Sequence, residues 1–160
     1  TTLTRPIRRR SELATPASNE RMFAKAAASA ADMVFLDLED ACAPALRKES
    51  RTKVVHALND YDWGETARAV RINDISTHWA YGDIIEVVTG AGANLDTIVV
   101  PKVTAARDVW WVDVLLTQLE TDLNLTRQIR LEVLIEDVAG VAHAEEIATS
   151  SPRLDALIEY

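Results

Sequence analysis

Short apolar runs alternate along the whole chain with longer stretches in which apolar residues recur every third or fourth position. Met33-Val34-Phe35-Leu36 runs into Asp37-Leu38-Glu39-Asp40, which predicts a strand over 33–40 buried on both faces and ending in acids. Ser11 to Pro16 predicts a shorter strand before it, and 69–73, 97–102 and 130–137 predict three more after it. Residues 156–160 open a sixth unit, and residues 1–7 read as a loose leader. Between the strands, Met22, Phe23, Ala26, Ala27 and Ala30 predict a helix capped by Ser18 or Asn19, with Arg21 and Lys25 together on its other side. Leu46, Val54, Val55 and Leu58 mark a helix over 45–58. Trp79, Ile84, Ile85 and Val88 mark another, closed by Gly90 and Gly92. Val109, Val112, Leu115, Leu116, Leu119 and Leu123 stripe a helix over 105–123, and a last one falls near 140–149.

Strict strand–helix alternation means βαβ units and a parallel α/β sheet. Successive strands end in polar residues: Thr15, Asp37 with Glu39, Arg71 with Asn73, Lys102, and Glu136. A (β/α)8 TIM barrel assembles its active site from such ends. A doubly wound nucleotide-binding sheet is the competitor, but its glycine fingerprint is missing. Gly90-Ala91-Gly92 follows a helix rather than a strand. A barrel takes about 250 residues, so the 160 residues are expected to be the N-terminal part of one TIM-barrel catalytic domain, covering its first five to six βα units.

The net charge of −8 argues against nucleic acid or an anionic membrane as the main partner. Cys42 is the single cysteine, which excludes an internal disulfide framework and a paired-thiol metal site. No apolar run approaches the roughly 20 residues of a membrane span, and no secretory segment opens the chain, so a cytoplasmic protein is expected.

The candidate chemistry sits at the strand ends. Alternation puts Asp37 and Glu39 on one side of their strand, either as a ligand-facing acidic pair or merely as a polar strand end. Glu136 closes another buried strand and suits Mg²⁺, which takes one or two carboxylates and fills its octahedron with waters and substrate oxygens. Arg71 is the natural complement, because its planar fork grips a carboxylate bidentately and stays charged. Pairing of such acids with Arg71 or Lys102 for stability alone is the plainer alternative. Arg21 and Lys25 are either solvated helix residues or phosphate contacts near the first βα loop. His56, His78 and His143 have no metal-site spacing, Cys42 has no partner base, and Trp110 and Trp111 read as packing or subunit contact.

Taken together, Arg10-Ser11-Glu12-Leu13 with Pro16, then Asp37-Leu38-Glu39-Asp40 followed by Ala43-Pro44, resembles the citrate lyase β-subunit/malyl-CoA lyase family of HpcH/HpaI aldolase-like proteins. So do Val70-Arg71-Ile72-Asn73, Pro101-Lys102-Val103, Ile135-Glu136 and Ser151-Pro152-Arg153-Leu154. Asp62-Trp63, Trp79 to Asp83 and Leu95-Asp96 look most like the L-malyl-CoA/β-methylmalyl-CoA lyase branch. The resemblance implies a carbon–carbon lyase yielding glyoxylate and an acyl-CoA, with Mg²⁺ (or Mn²⁺) as cofactor and a homotrimeric or homohexameric assembly. It implies that Glu136 is one metal ligand and that Arg71 holds the glyoxylate end. Asp37 and Glu39 would support the metal's waters, and Arg21 and Lys25 would touch CoA. A citramalyl- or citryl-CoA lyase, a malyl-CoA thioesterase and a truncated non-catalytic paralogue are the alternatives. The family's second metal aspartate and catalytic acid are expected beyond Tyr160. Glu159-Tyr160 departs from the apolar residue and glycine that the family carries there.

Overall fold

The computed structural model describes residues 6–159, so most of the expected leader, and Tyr160, lie outside the described residues. Six strands form one sheet: β1 Glu12–Pro16, β2 Met33–Asp37, β3 Ala67–Arg71, β4 Thr97–Val100, β5 Arg130–Ile135 and β6 Leu154–Glu159. Every pairing is parallel, and the spatial order is the chain order. A doubly wound sheet reverses its order at a switch point. None of the six strands does, so the sheet follows the barrel plan.

The helices are α1 Phe23–Ala27, α2 Arg47–Asp60, α3 Ala80–Ala91, α4 Ala106–Asp122, α5 Val138–Ala142 and α6 Ala144–Ala148. All but α5 share one large core with outward strand residues such as Val34, Leu36, Val70, Ile98, Val100, Leu131 and Val133. A second cluster of Met33, Phe35, Ala69, Val99 and Leu134 occupies the other, inner face, with no helical residue in it. Both faces therefore bury apolar side chains, as the unbroken apolar runs require. No helix among the described residues is long and apolar enough to cross a membrane.

Several details differ from the sequence pattern. The first helix keeps only Phe23–Ala27 behind a 3-10 turn over Glu20–Met22, and neither Ser18 nor Asn19 caps it through its side chain. Gly90 lies inside α3, and Gly92 follows it at a right-handed φ of −57°, so neither ends the helix by a left-handed turn. Their role is close approach: a β-carbon on Gly90 would lie 2.7 Å from Val55 Cγ1, and one on Gly92 2.9 Å from Leu125 Cδ1. Leu46 is exposed instead of inward. Ile7, assigned to the loose leader, packs under the inner cluster.

Candidate active site at the strand ends

The inner row of β2 runs Met33, Phe35, Asp37, and the parallel register sets Asp37 beside Arg71, which ends the inner row of β3. Arg71 Nε donates to Asp37 Oδ1 at 2.8 Å and Nη2 to Oδ2 at 2.7 Å. The chain then folds back over the carboxylate, so that Glu39 N and Ala41 N each donate to it at 2.9 Å. This turn is what ends β2 at Asp37. Burial works against the Asp37 charge, but the Arg71 fork and the two backbone donors outweigh it and hold the carboxyl below the usual range. Arg71 is pushed up: burial opposes its charge, and Asp37, Glu39 and Asp40 more than offset that. Nη1 is the edge of Arg71 that Asp37 leaves over.

Glu39 is 2% exposed, and its Oε1 accepts from Lys102 Nζ at 2.5 Å. Its Oε2 is buried without a hydrogen bond and lies 3.7 Å from Arg71 Nη1. Burial pushes Glu39 up and the Asp40 charge adds to this, more than Lys102 and Arg71 pull it back. Lys102 follows β4 with a left-handed φ of 53° and donates its backbone N–H to Glu136 Oε2 at 2.8 Å. Glu136 stands just past β5, where Asp137 caps α5 by accepting from Gly140 N at 2.8 Å. Strand ends β2, β3, β4 and β5 thus feed one charged cluster. Among the described residues Glu39 Oε2 takes no hydrogen bond and Glu136 is bonded through Oε2, and carboxylate oxygens are hard donors of the kind Mg²⁺ takes. No group of three or more metal-binding side chains occurs among the described residues.

The profile of the HpcH/HpaI aldolase/citrate lyase family matches residues 10–158. The chain belongs to that family. It is 45% identical over 148 residues to the L-malyl-CoA/β-methylmalyl-CoA lyase of Cereibacter sphaeroides, covering 92% of this chain and 46% of that protein. It is 35% identical over 149 residues to a (3S)-malyl-CoA thioesterase of the same species, covering 93% of this chain and 47% of that one. Among solved structures, the CitE protein of Mycobacterium tuberculosis in complex with magnesium and acetate superposes with a TM-score of 0.69 at 29% identity, over 92% of this chain and 52% of the other. The chain spans about half the length of the curated relatives it matches.

In this HpcH/HpaI chain, Asp37, Glu39 and Arg71 come together, and Lys102 links them to Glu136. Arg21 and Lys25 stand apart, exposed on the first βα connection and without a hydrogen bond or ion pair among the described residues. Sequence reasoning noted Lys102 as a polar strand end and a stabilising partner but gave it no role in the site, and it missed the buried network that Asn73 enters just past β3. There Asn73 N and Nδ2 donate to Asp83 Oδ2 at 2.9 and 2.7 Å, and Arg51 Nε donates to Asp83 Oδ1 at 2.8 Å. The signal was present, because Arg51 shares the inward stripe of α2 with Val54 and Leu58. Arg47 also went unread: it donates to the Glu39 and Cys42 carbonyls and lies over the Trp79 ring at 4.6 Å. A cavity of about 1060 Å³ opens at the opposite end of the sheet. Arg68 and Arg127 in its lining are paired with Asp96. Barrel enzymes work at the carboxyl ends, so the charged cluster, not this cavity, is the candidate site.

Proposed function

We propose that the full-length polypeptide is a Mg²⁺-dependent lyase that reversibly cleaves malyl-CoA or β-methylmalyl-CoA to glyoxylate and acetyl- or propionyl-CoA. The observation that carries this reading is the Asp37–Arg71–Glu39–Lys102–Glu136 cluster at the strand ends of a chain 45% identical to such a lyase. The bond that breaks joins the hydroxyl-bearing carbon to the carbon beside the thioester. Its electron pair passes to the thioester as an enolate, while the hydroxyl gives its proton to a base supplied by the complete site and becomes the carbonyl of glyoxylate. Arg71, held flat by Asp37, turns its remaining edge to the substrate carboxylate. Asp37 thus acts through Arg71, while Glu39 Oε2 accepts from a bound water. Glu136 would hold the metal, which when bound supplies electrophilic polarisation of the reacting oxygen. Arg21 and Lys25 take CoA phosphates. The remaining metal carboxylate and the acid that reprotonates the enolate come from the rest of the barrel domain or a neighbouring subunit.

A thioesterase reading is favoured by the 35% identical relative. The two readings differ in products, so the purified full-length protein is incubated with malyl-CoA. Glyoxylate and acetyl-CoA in equal amounts, abolished by chelation and restored by Mg²⁺, is the expected result. Free malate and CoA would favour the thioesterase, and neither product pair would overturn both. Glu136→Ala is expected to lower turnover at least about 100-fold without unfolding the protein. Unchanged turnover and metal dependence would remove Glu136 from the site.

A further inference from the structure

We propose that Lys102 is a positioning residue that sets two carboxylates of the site: its left-handed backbone aims its N–H at Glu136 Oε2, and its ammonium pins Glu39 Oε1. What those carboxylates serve rests on the metal-dependent lyase reading above. Only Lys102 and Asn124 among the described non-glycine residues have a positive φ. An asparagine tolerates this conformation through its short polar side chain, whereas a lysine has no such compensation. Contacts on both sides hold it there. Pro101 before it is buried and fixes its own φ, and Val103 after it is buried and donates from its backbone to Leu134 O at 3.1 Å. The left-handed turn therefore points the Lys102 N–H across to the end of β5.

The side chain reaches the other way. It is 43% exposed yet pairs with Glu39, whose side chain is 3% exposed, so a solvent-facing cation compensates a buried acid. Lys102 occupies one oxygen of each carboxylate, Glu136 Oε2 and Glu39 Oε1, and Glu39 Oε2 takes no hydrogen bond among the described residues. One residue thereby fixes the spacing of two ligand-facing groups carried by different strands. Backbone and side chain do separate jobs, and substitution can separate them.

Lys102→Gly keeps the left-handed backbone and the N–H but removes the ammonium. Lys102→Val disfavours the left-handed backbone as well. Both are made in the full-length protein, with Mn²⁺ as the probe, its affinity read by titration calorimetry apart from any turnover. The glycine variant is expected to bind Mn²⁺ within about twofold of wild type but to lose about tenfold in kcat. The valine variant should bind Mn²⁺ about tenfold more weakly. Lys102→Arg should recover much of the glycine variant's lost kcat. Lys102→Ala, which imposes the same backbone preference more mildly, carries the comparison if the valine variant does not fold. Equal Mn²⁺ affinity in glycine and valine (or alanine) variants overturns the backbone role, and full kcat in the glycine variant overturns the side-chain role. If wild type cleaves no malyl-CoA, the lyase reading fails, while the Mn²⁺ comparison still decides for or against the backbone role.

Discussion

Asp37 has both oxygens filled by protein donors, two from Arg71 and two from the backbone of the turn that follows. Its contribution is therefore made through Arg71, whose guanidinium it holds in one plane above the Phe35 ring at 5.5 Å. Asp37→Asn keeps the shape but strands a buried cation, and breaking such a pair by one partner costs about 3–5 kcal/mol. Denaturant unfolding of the full-length protein should show that loss as a lower midpoint at unchanged slope. The pH dependence has a definite sign. Because the folded carboxyl is held down, its stabilisation is present above the ordinary carboxyl value of about 4 and is lost as pH falls through the lower folded value. The asparagine variant should lack that part of the acid limb. Arg71→Lys retains a charge but cannot make both bonds of the fork, and kcat/KM is expected to fall about 100-fold. Near-normal kinetics in the lysine variant would make Arg71 purely structural.

At the scale of elements, α2 and α3 meet at Val55 and Gly90, where an added β-carbon would sit 2.7 and 2.8 Å from the two valine methyls. Gly90→Ala should improve helix propensity yet destabilise the protein by about 1–3 kcal/mol through overpacking. Val55→Ala in the same chain should recover most of that; a Gly90→Ala variant as stable as wild type would mean the helices part freely. Such contacts explain what was legible in the sequence and what was not. Apolar runs and helical stripes carry element type, and the six strands follow from them. Alternation paired Asp37 with Glu39, and the forked guanidinium of Arg71 marked it as their complement; the three do meet, although Glu39 does so from the turn past β2. Gly90 was misread because a glycine near a helix end signals a cap or a close approach equally well, and only the facing helix distinguishes them. The β2 boundary was set too late because Asp37 bends the chain by its own side-chain bonds, which alternation does not record. Lys102 gave no warning of its left-handed backbone, since that conformation is imposed by partners on β5 rather than by lysine itself.

At the scale of the whole molecule, the inner face carries a second charged layer at the end of the sheet away from the candidate site. Arg9 comes from the segment before β1, Glu12 from β1, Arg130 and Glu132 from β5, and Asp155 from β6. Glu132 is 1% exposed and accepts from Arg9 Nε at 2.8 Å, and Asp155 pairs with both Arg9 and Arg130. The β5–β6 register shifts so that Glu132 faces Ala156, which leaves Asp155 over and free to turn into this layer. Glu12 is the uncompensated member. Burial, then the Glu132 charge and its hydrogen bond, push it up to about 7 against the weaker pull of Arg9. Its folded value thus exceeds its unfolded one, so the stability it contributes is complete below the ordinary value of 4.5 and is lost as pH rises through about 7. Since the carboxyl is partly solvated, the effect is discounted to about 1–2 kcal/mol. Glu12→Gln in the full-length protein should abolish this slope and raise the thermal midpoint at pH 8 while changing little at pH 5. A wild-type protein equally stable at both pH values, with a glutamine variant no different, would mean that the layer compensates Glu12 in full.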